Sequence, residues 1–345
     1  MNSWKLIKLN FGSNPAHFGR LGIGMEETVE RVQSDTLFSA WMSVYTRLFG
    51  KDAIESLLHK FNASSPPVRM SSTFIYHQKE NKTIYYLPRP QQFPINYPKE
   101  DLDFFKTYKK LSYLPLEVWQ RWYQNDGINN EDIQELIDRT NTKGTNGKLD
   151  KAGVFDYSQA FKIDKHPKAA IDRTTRATNF YHTGFVQFQW EKSISGLYFL
   201  LKFTPEGEKL ADELKAALHL LGEEGLGGER SSGAGRFEIE WLDLPKSWHD
   251  VVETKGTHHE LISLFWDSDI SQEFLKSSAY EIIECGGWIG DVNLRRKKVR
   301  MFVEGSVFSQ QPQGKLVDVT PTQFKRHRIY RNGIGLSLPI KIRQV

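Results

Sequence analysis

Two periodicities organise the chain. Trp4-Lys5-Leu6-Ile7-Lys8-Leu9 roughly alternates apolar and basic side chains and predicts a strand. Behind Ser34-Asp35, which reads as a helix start, Leu37, Phe38, Trp41, Val44, Tyr45 and Leu48 recur at helical spacing. They predict a helix whose aromatic face packs in a core. Phe185 to Trp190 and Leu197 to Phe203 predict two strands joined by a polar turn at residues 193–196. Thr204-Pro205-Glu206 supplies a cap, a proline at the first helical position and an early acid. Leu210, Leu214, Leu218 and Leu221 line one side of the helix that follows, and Arg236 to Leu242 alternates again as a strand.

Strand, helix, strand, strand, helix, strand is the ferredoxin-like order, a sheet with both helices on one face. The predicted class is α+β, with two ferredoxin-like (RRM-like) domains. Residues 1–245 form the first, and residues 62–183 supply its second strand together with a large insertion. Within the insertion, Asn141 to Gly153 is rich in Gly, Asn, Thr and Lys and is expected to loop out. Past Pro245, Leu261 to Trp266, Ala279 to Cys285, Arg300 to Val307 and Leu336 to Ile342 read as strands with little helix between them. Residues 246–345 are therefore expected to form a second, degenerate domain of related type.

Composition changes this picture little. The hydrophobic share is a low 39%, but 22 Phe, 13 Tyr and 9 Trp provide large buried areas for a core. The +4 net charge, from 46 basic and 42 acidic residues, is too mild to specify nucleic acid, so local clustering has to decide. Cys285 is the single cysteine, which excludes an intrachain disulfide and a cysteine-only zinc site. His258-His259-Glu260 would alternate across a strand, so neither a metal nor a cofactor is expected. The amino terminus lacks a signal-peptide pattern and no apolar run is long enough to span a bilayer, so the expected setting is the cytoplasm, away from membranes.

Local clustering singles out three segments. Residues 222–236 carry six glycines between a predicted helix and a predicted strand, with Gly228, Arg230, Ser231, Ser232, Gly233, Gly235 and Arg236 as candidate RNA contacts. Glycine permits close backbone approach and positive φ, so successive N–H groups could face phosphate while the arginines add charge. A dinucleotide loop has the opposite order, strand before and helix after, and a Walker loop is absent. Residues 162–178, with His166, Arg173, Thr174 and Arg176, interleave cations and hydroxyls just ahead of Tyr181 and His182. That mixture suits single-stranded RNA, where phosphates need charge and unstacked bases need a platform. The loop at 12–24 carries His17, Phe18, Gly19 and Arg20 as further candidate RNA contacts, in a place suited to stacking or hydrogen bonding with a splayed nucleotide. Basic runs at 295–298 and 325–328 read first as solvated faces, which could also meet RNA or an acidic partner.

A helix-ending glycine-rich loop that runs into a strand resembles the RAMP superfamily of CRISPR-associated proteins. His17-Phe18-Gly19, Ser34-Asp35-Thr36-Leu37-Phe38-Ser39-Ala40, Ile171-Asp172-Arg173-Thr174, Gly227-Gly228-Glu229-Arg230-Ser231-Ser232-Gly233 and Arg331-Asn332-Gly333-Ile334-Gly335 sharpen the likeness. In that order they resemble the type III-A Csm subunits that cap the 5′ end of guide RNA. The resemblance implies a non-catalytic subunit that grips the 5′ handle of crRNA. Its implied protein partners are the large polymerase-like CRISPR subunit and the adjacent crRNA-coating filament subunit. It also implies handle contacts from His17, Arg20, Arg173, Arg176 and the segment Arg230 to Arg236, and no target-cleaving role for Asp172. The alternative is a metal-independent CRISPR repeat endoribonuclease with His17 or His166 as general base. A purely protein-binding scaffold would leave the arginine-flanked glycine loop unexplained.

Overall fold

A computed structural model describes residues 3–19, 24, 26–141, 147–290 and 292–342. Strand β1 (Ser3–Asn10) is followed by helices α1 (Ser34–Phe49) and α2 (Lys51–Phe61). Strands β2 (Val68–Met70), β3 (Phe74–Lys79) and β4 (Lys82–Pro88) come next, then α3 (Leu102–Tyr108), β5 (Tyr113–Pro115), α4 (Leu116–Gln124), α5 (Asn130–Asn141) and α6 (Lys148–Ala152). A long hairpin of β6 (Phe161–Ile171) and β7 (Thr178–Phe188) leads to β8 (Ile194–Phe203), α7 (Pro205–Glu208), α8 (Ala211–Glu224) and β9 (Glu238–Asp243). The main sheet runs β5-β4-β3-β8-β1-β9, with β2 also pairing β8, and its pairings are antiparallel.

Alternation along β1 sends its side chains to two different cores. Ile7 and Leu9 join the core built with α1, α2 and α8, where Leu37, Phe38, Trp41, Leu214 and Leu218 pack. Trp41 Nε1 donates to the Leu214 carbonyl at 2.9 Å, tying α1 to α8. Leu48, expected on the same face, lies in the last turn of α1 and is 44% exposed. Leu6 points the other way, into a second core with Phe74, Trp119, Trp122, Trp248, Ile262 and Leu338. The sheet is thus covered on both faces, and residues of the insertion and of the carboxy-terminal region supply the second cover.

The insertion is accordingly less of an appendage than its pattern predicts. It extends the sheet by β3, β4 and β5, and its helices build the second core. Residues 142–146 of the expected loop lie outside the described residues, but Lys148–Ala152 is helical with Leu149 fully buried. Two further expectations are corrected. Phe185 to Phe188 ends a strand paired with β6, and β8 pairs with β1 and β3 instead of with β7. The helix expected from Pro205 is broken: Thr204 Oγ1 accepts from Gly207 N at 3.1 Å to cap α7, and α8 begins at Ala211. A side chain at Gly207 would run into the Pro67 carbonyl, so this turn packs flush on the end of β2.

Beyond α9 (Lys246–Glu253) the chain makes a three-stranded sheet of β10 (His258–Leu261), β15 (Val307–Phe308) and β18 (Ser337–Ile340). Two-stranded ribbons pair β11 (Ile282–Cys285) with β14 (Val299–Phe302), β12 (Trp288–Ile289) with β13 (Val292–Arg295), and β16 (Leu316–Asp318) with β17 (Tyr330–Asn332). Ser34 and Asp35 face this region. Ser34 Oγ accepts from Leu264 N at 2.9 Å, and the Asp35 carboxylate pairs with Arg331. No side chain caps α1, so the Ser-Asp pair serves tertiary contact instead. Among the described residues, no helix is long and apolar enough to cross a membrane.

Candidate functional site

Three segments distant in sequence meet at the base of the β6–β7 hairpin. The loop after β1 turns back so that Ala16 bridges Val186 of β7 and His17 bridges Gly228. The Gly228 amide donates to the His17 carbonyl at 2.8 Å. His17 Nδ1 lies 2.7 Å from the Gly184 carbonyl oxygen, which can only accept, so Nδ1 carries a proton. Its ring sits edge-on to Phe185 at 6.3 Å, and a Cβ at Gly228 would fall 2.7 Å from its Cδ2. His17 is therefore a pin through three chain segments, only 8% exposed.

The expected stacking site in this loop is not offered by Phe18. Its ring is 3% exposed and packs edge-on against Phe11, beside Phe188 and Phe237. Burying that ring in an aromatic cluster outweighs leaving it in water for a base to stack on. Gly19 is exposed at the surface, and Arg20 lies outside the described residues.

The glycine-rich loop uses its backbone on itself. The amides of Leu226, Gly228, Ser232, Gly233, Gly235 and Phe237 all donate to protein carbonyls at 2.8–3.1 Å. The Gly228, Gly233 and Gly235 N–H groups, expected to face phosphate, are thus already occupied. Gly235 has φ +78°, its amide reaches the Pro15 carbonyl at 2.8 Å, and a side chain there would run into the Leu226 carbonyl. Gly233, at φ +87°, borders open space. What the loop offers outward is side chains: Arg230, Ser231 and Ser232, in one turn of 3₁₀ helix, and Arg236 are exposed.

The hairpin pairs from Phe161↔Phe188 at its base to Ile171↔Thr178 at its tip. Phe185 collects cations and rings at the base. Lys168 Nζ lies 5.2 Å from its ring centroid, and the His166 ring, itself exposed, lies 5.1 Å away. Lys168 also pairs with Glu229 and donates to Ser232 Oγ at 3.2 Å, locking hairpin to loop. The Lys168 hydrogen bond holds the Glu229 carboxyl below the usual carboxylate range; partial burial opposes it, and the charges of Lys168 and His17 assist.

At the tip, Asp172 Oδ1 accepts from Thr174 N at 2.7 Å and Thr175 N at 3.1 Å, an Asx turn. These backbone bonds lower its pKa. Asp172 shapes the turn that carries Arg173, Thr174 and Arg176, all exposed. A cleft of about 570 Å³ lies along the hairpin, lined by Gly24, Glu26, Glu27, Ala170, Asn179, Tyr181 and His182. The acids Glu26, Glu27 and Glu229 were not among the candidate contacts read from the sequence. Only the last had a signal there, its place beside Arg230 within the glycine cluster. Arg230, Ser231, Ser232, Arg236, His166, Arg173 and Arg176 therefore project from two elements joined through Lys168, whereas His17, Phe18 and Gly235 are packed between chain segments beneath them.

The RAMP superfamily model matches residues 27–238, more than half of the chain, and the chain belongs to that superfamily. The model described as the CRISPR Csm4 C-terminal domain matches residues 254–340. The Csm4 protein of Methanocaldococcus jannaschii is 25% identical over 366 residues, with 94% of each chain covered. That of Mycobacterium tuberculosis is 25% identical, covering 93% of this chain and 92% of its own. Within the superfamily, the chain is similar over nearly its whole length to Csm4 proteins of CRISPR systems. Its fold matches a crystal structure of a Csm3–Csm4 subcomplex in the type III-A CRISPR-Cas interference complex, with TM-score 0.61, 21% identity and 97% and 99% coverage of the two chains. It also matches a crystal structure of a Csm1–Csm4 cassette in complex with AMPPNP, with TM-score 0.55, 16% identity and full coverage of both.

Proposed function

We propose that this subunit grips the 5′ handle of crRNA without cutting it, using the hairpin and the outward side chains of the glycine-rich loop. The Lys168–Glu229 and Lys168–Ser232 contacts carry this reading, because they fix two exposed arginine-bearing elements in one orientation. A splayed handle would lay its phosphates on Arg173, Arg176, Arg230 and Arg236, with Tyr181 and His182 beside it as stacking partners. The same subunit links the large polymerase-like subunit to the crRNA-coating filament subunit. The relatives crystallised with Csm3 and with Csm1 support those partners.

The same reading divides the chain into ferredoxin-like units at 1–245 and 246–345. The strand order β9-β1-β8-β3, with α1 and α8 sharing one core, supports the first unit. The repeat-cutting alternative needs a histidine free to take a proton from a 2′-hydroxyl. His17 is buried where three chain segments meet, out of reach of a 2′-hydroxyl at the surface, which weighs against it. The test is to incubate the purified chain with labelled repeat RNA in the absence of metal. The RNA is expected to stay whole while its mobility is retarded. Specific cleavage that disappears in His17→Ala or His166→Ala would overturn the non-enzymatic reading.

A further inference from the structure

The basic runs at 295–298 and 325–328 lie far from each other in sequence, and the handle site uses neither. The fold joins them. Lys297 N donates to the Val319 carbonyl at 2.9 Å, and Val319 N donates to the Ile329 carbonyl at 2.9 Å. Lys298 pairs with Glu284 and Arg328 with Asp318. Among the described residues, Lys297, Arg300, Lys325 and Arg326 form no ion pair, and all four are exposed. An aromatic ring completes the surface. Trp288 is 53% exposed, and its cross-strand partner Arg295 lies over one side of the indole at 4.7 Å.

Beneath this surface the charge is unbalanced. Arg331 is 5% exposed and pairs with Asp35, yet its Nε has no hydrogen-bond partner. Arg296 is half-buried with its Nε also unmatched, and burial and the Arg331 cation together lower its pKa against the pull of Asp35. Asp35 pairs with Arg331, and Arg296 forms no ion pair among the described residues. Arg296 N donates to the Gly287 carbonyl at 2.9 Å and Arg331 donates to the Gly286 carbonyl, so both adjoin Trp288.

We infer that this carboxy-terminal surface is a second binding site, for single-stranded nucleic acid, in which a base stacks on Trp288 and neighbouring phosphates lie on the joined basic runs. An indole half in water and capped by an arginine suits an unstacked base. Cations without carboxylates, over a buried excess of guanidinium, suit a polyanionic backbone. An acidic protein would meet the charges but has no use for the open indole. The site is independent of the handle reading, since it shares no residue with the hairpin or the glycine-rich loop.

The test measures binding of the full chain to fluorescein-labelled oligouridylate and oligothymidylate, with Arg173→Ala as a control at the handle site. Trp288→Ala, a surface change, is expected to weaken binding of at least one probe by about 5- to 100-fold, the worth of one stacked base. Lys297→Glu and Arg326→Glu are each expected to flatten the slope of log affinity against log salt by at least about 0.7. Arg173→Ala should leave these effects in place, so that failure here and failure at the handle are told apart. Preference for the ribose or the deoxyribose probe identifies the natural strand. If all three variants bind both probes like the wild type, the proposal is overturned. It is overturned equally if they lose only a copurifying acidic protein.

Discussion

The glycine-rich loop and the β6–β7 hairpin both present arginines to solvent, but they hold them by different means. In the loop, amide after amide is bonded inward, and glycine is required where the chain folds back on Leu226 and Pro15. In the hairpin, the strands hold each other through eleven paired positions, and beyond the base few side chains are buried. One element derives its shape from conformations that L side chains avoid, the other from ladder hydrogen bonds and an Asx turn. The contrast separates residues that shape the site from residues that can touch a ligand. In the loop these are different residues one or two positions apart, and at the hairpin tip Asp172 shapes the turn that presents its neighbours Arg173 and Arg176.

Substitution at the two glycines tests this contrast most severely. Gly235→Val combines a left-handed backbone with collision against the Leu226 carbonyl, so a loss of roughly 3 kcal/mol or more in urea unfolding is expected. Gly233→Val has the backbone strain but open space, and should cost about 1–2 kcal/mol. Equal losses would mean that the loop is not held as described. The two histidines come next. His17→Ala removes a buried hydrogen bond and a ring contact, and should cost about 2 kcal/mol. The exposed His166→Ala should stay within about 0.5 kcal/mol.

At the hairpin tip the effect should move from stability to binding. Arg173→Ala and Arg176→Ala are expected to leave the unfolding midpoint unchanged, and each to flatten the salt dependence of handle affinity by about 0.7 in log–log slope. A wild-type slope would assign the tip to protein contact. The smallest effect concerns the lock between the two elements. The Glu229 carboxyl has a folded pKa below its unfolded value, so its ionisation favours folding above the usual carboxylate range. That contribution is lost as pH falls through the depressed folded value. Wild type should therefore melt slightly above Glu229→Gln at neutral pH, and the gap should close on acidification. A gap independent of pH would show that packing, and not charge, joins the loop to the hairpin.

The sequence disclosed elements wherever one face was apolar. The periodicity of α1 predicted the buried Leu37, Phe38, Trp41, Val44 and Tyr45, and the alternation of β1 placed the first strand. The hairpin escaped because Lys165 and Pro167 interrupt the otherwise apolar face of Ile163, Ala169 and Ile171, and Lys162, Asp164, His166 and Lys168 line the other, which reads as a solvated loop. The second core escaped for the reverse reason. Trp119, Trp122 and Trp248 bury against a sheet face that the local pattern had left uncovered. Glu260, fully buried with Oε2 accepting from Trp119 Nε1 at 2.7 Å, carries no local signal of its environment, and burial raises its pKa well above the carboxylate range. In the candidate site, the charged positions were legible from composition, but the division into pins and contacts depends on tertiary partners. Asp35 shows the same limit: it reads as part of a helix start, yet its partner Arg331 lies near the other end of the chain.

Under the proposed function, the hairpin and the glycine-rich loop together hold the crRNA handle. Ultraviolet cross-linking of the assembled complex, loaded with crRNA carrying photoreactive uridines in the handle, tests it most directly when the linked peptides of this subunit are mapped by mass spectrometry. Cross-links are expected within residues 161–188 and 229–237, including the Tyr181–His182 neighbourhood, and should be lost from both segments in a Lys168→Ala, Arg230→Ala variant. Handle cross-links confined to other parts of the subunit, with these two segments unlabelled, would contradict it.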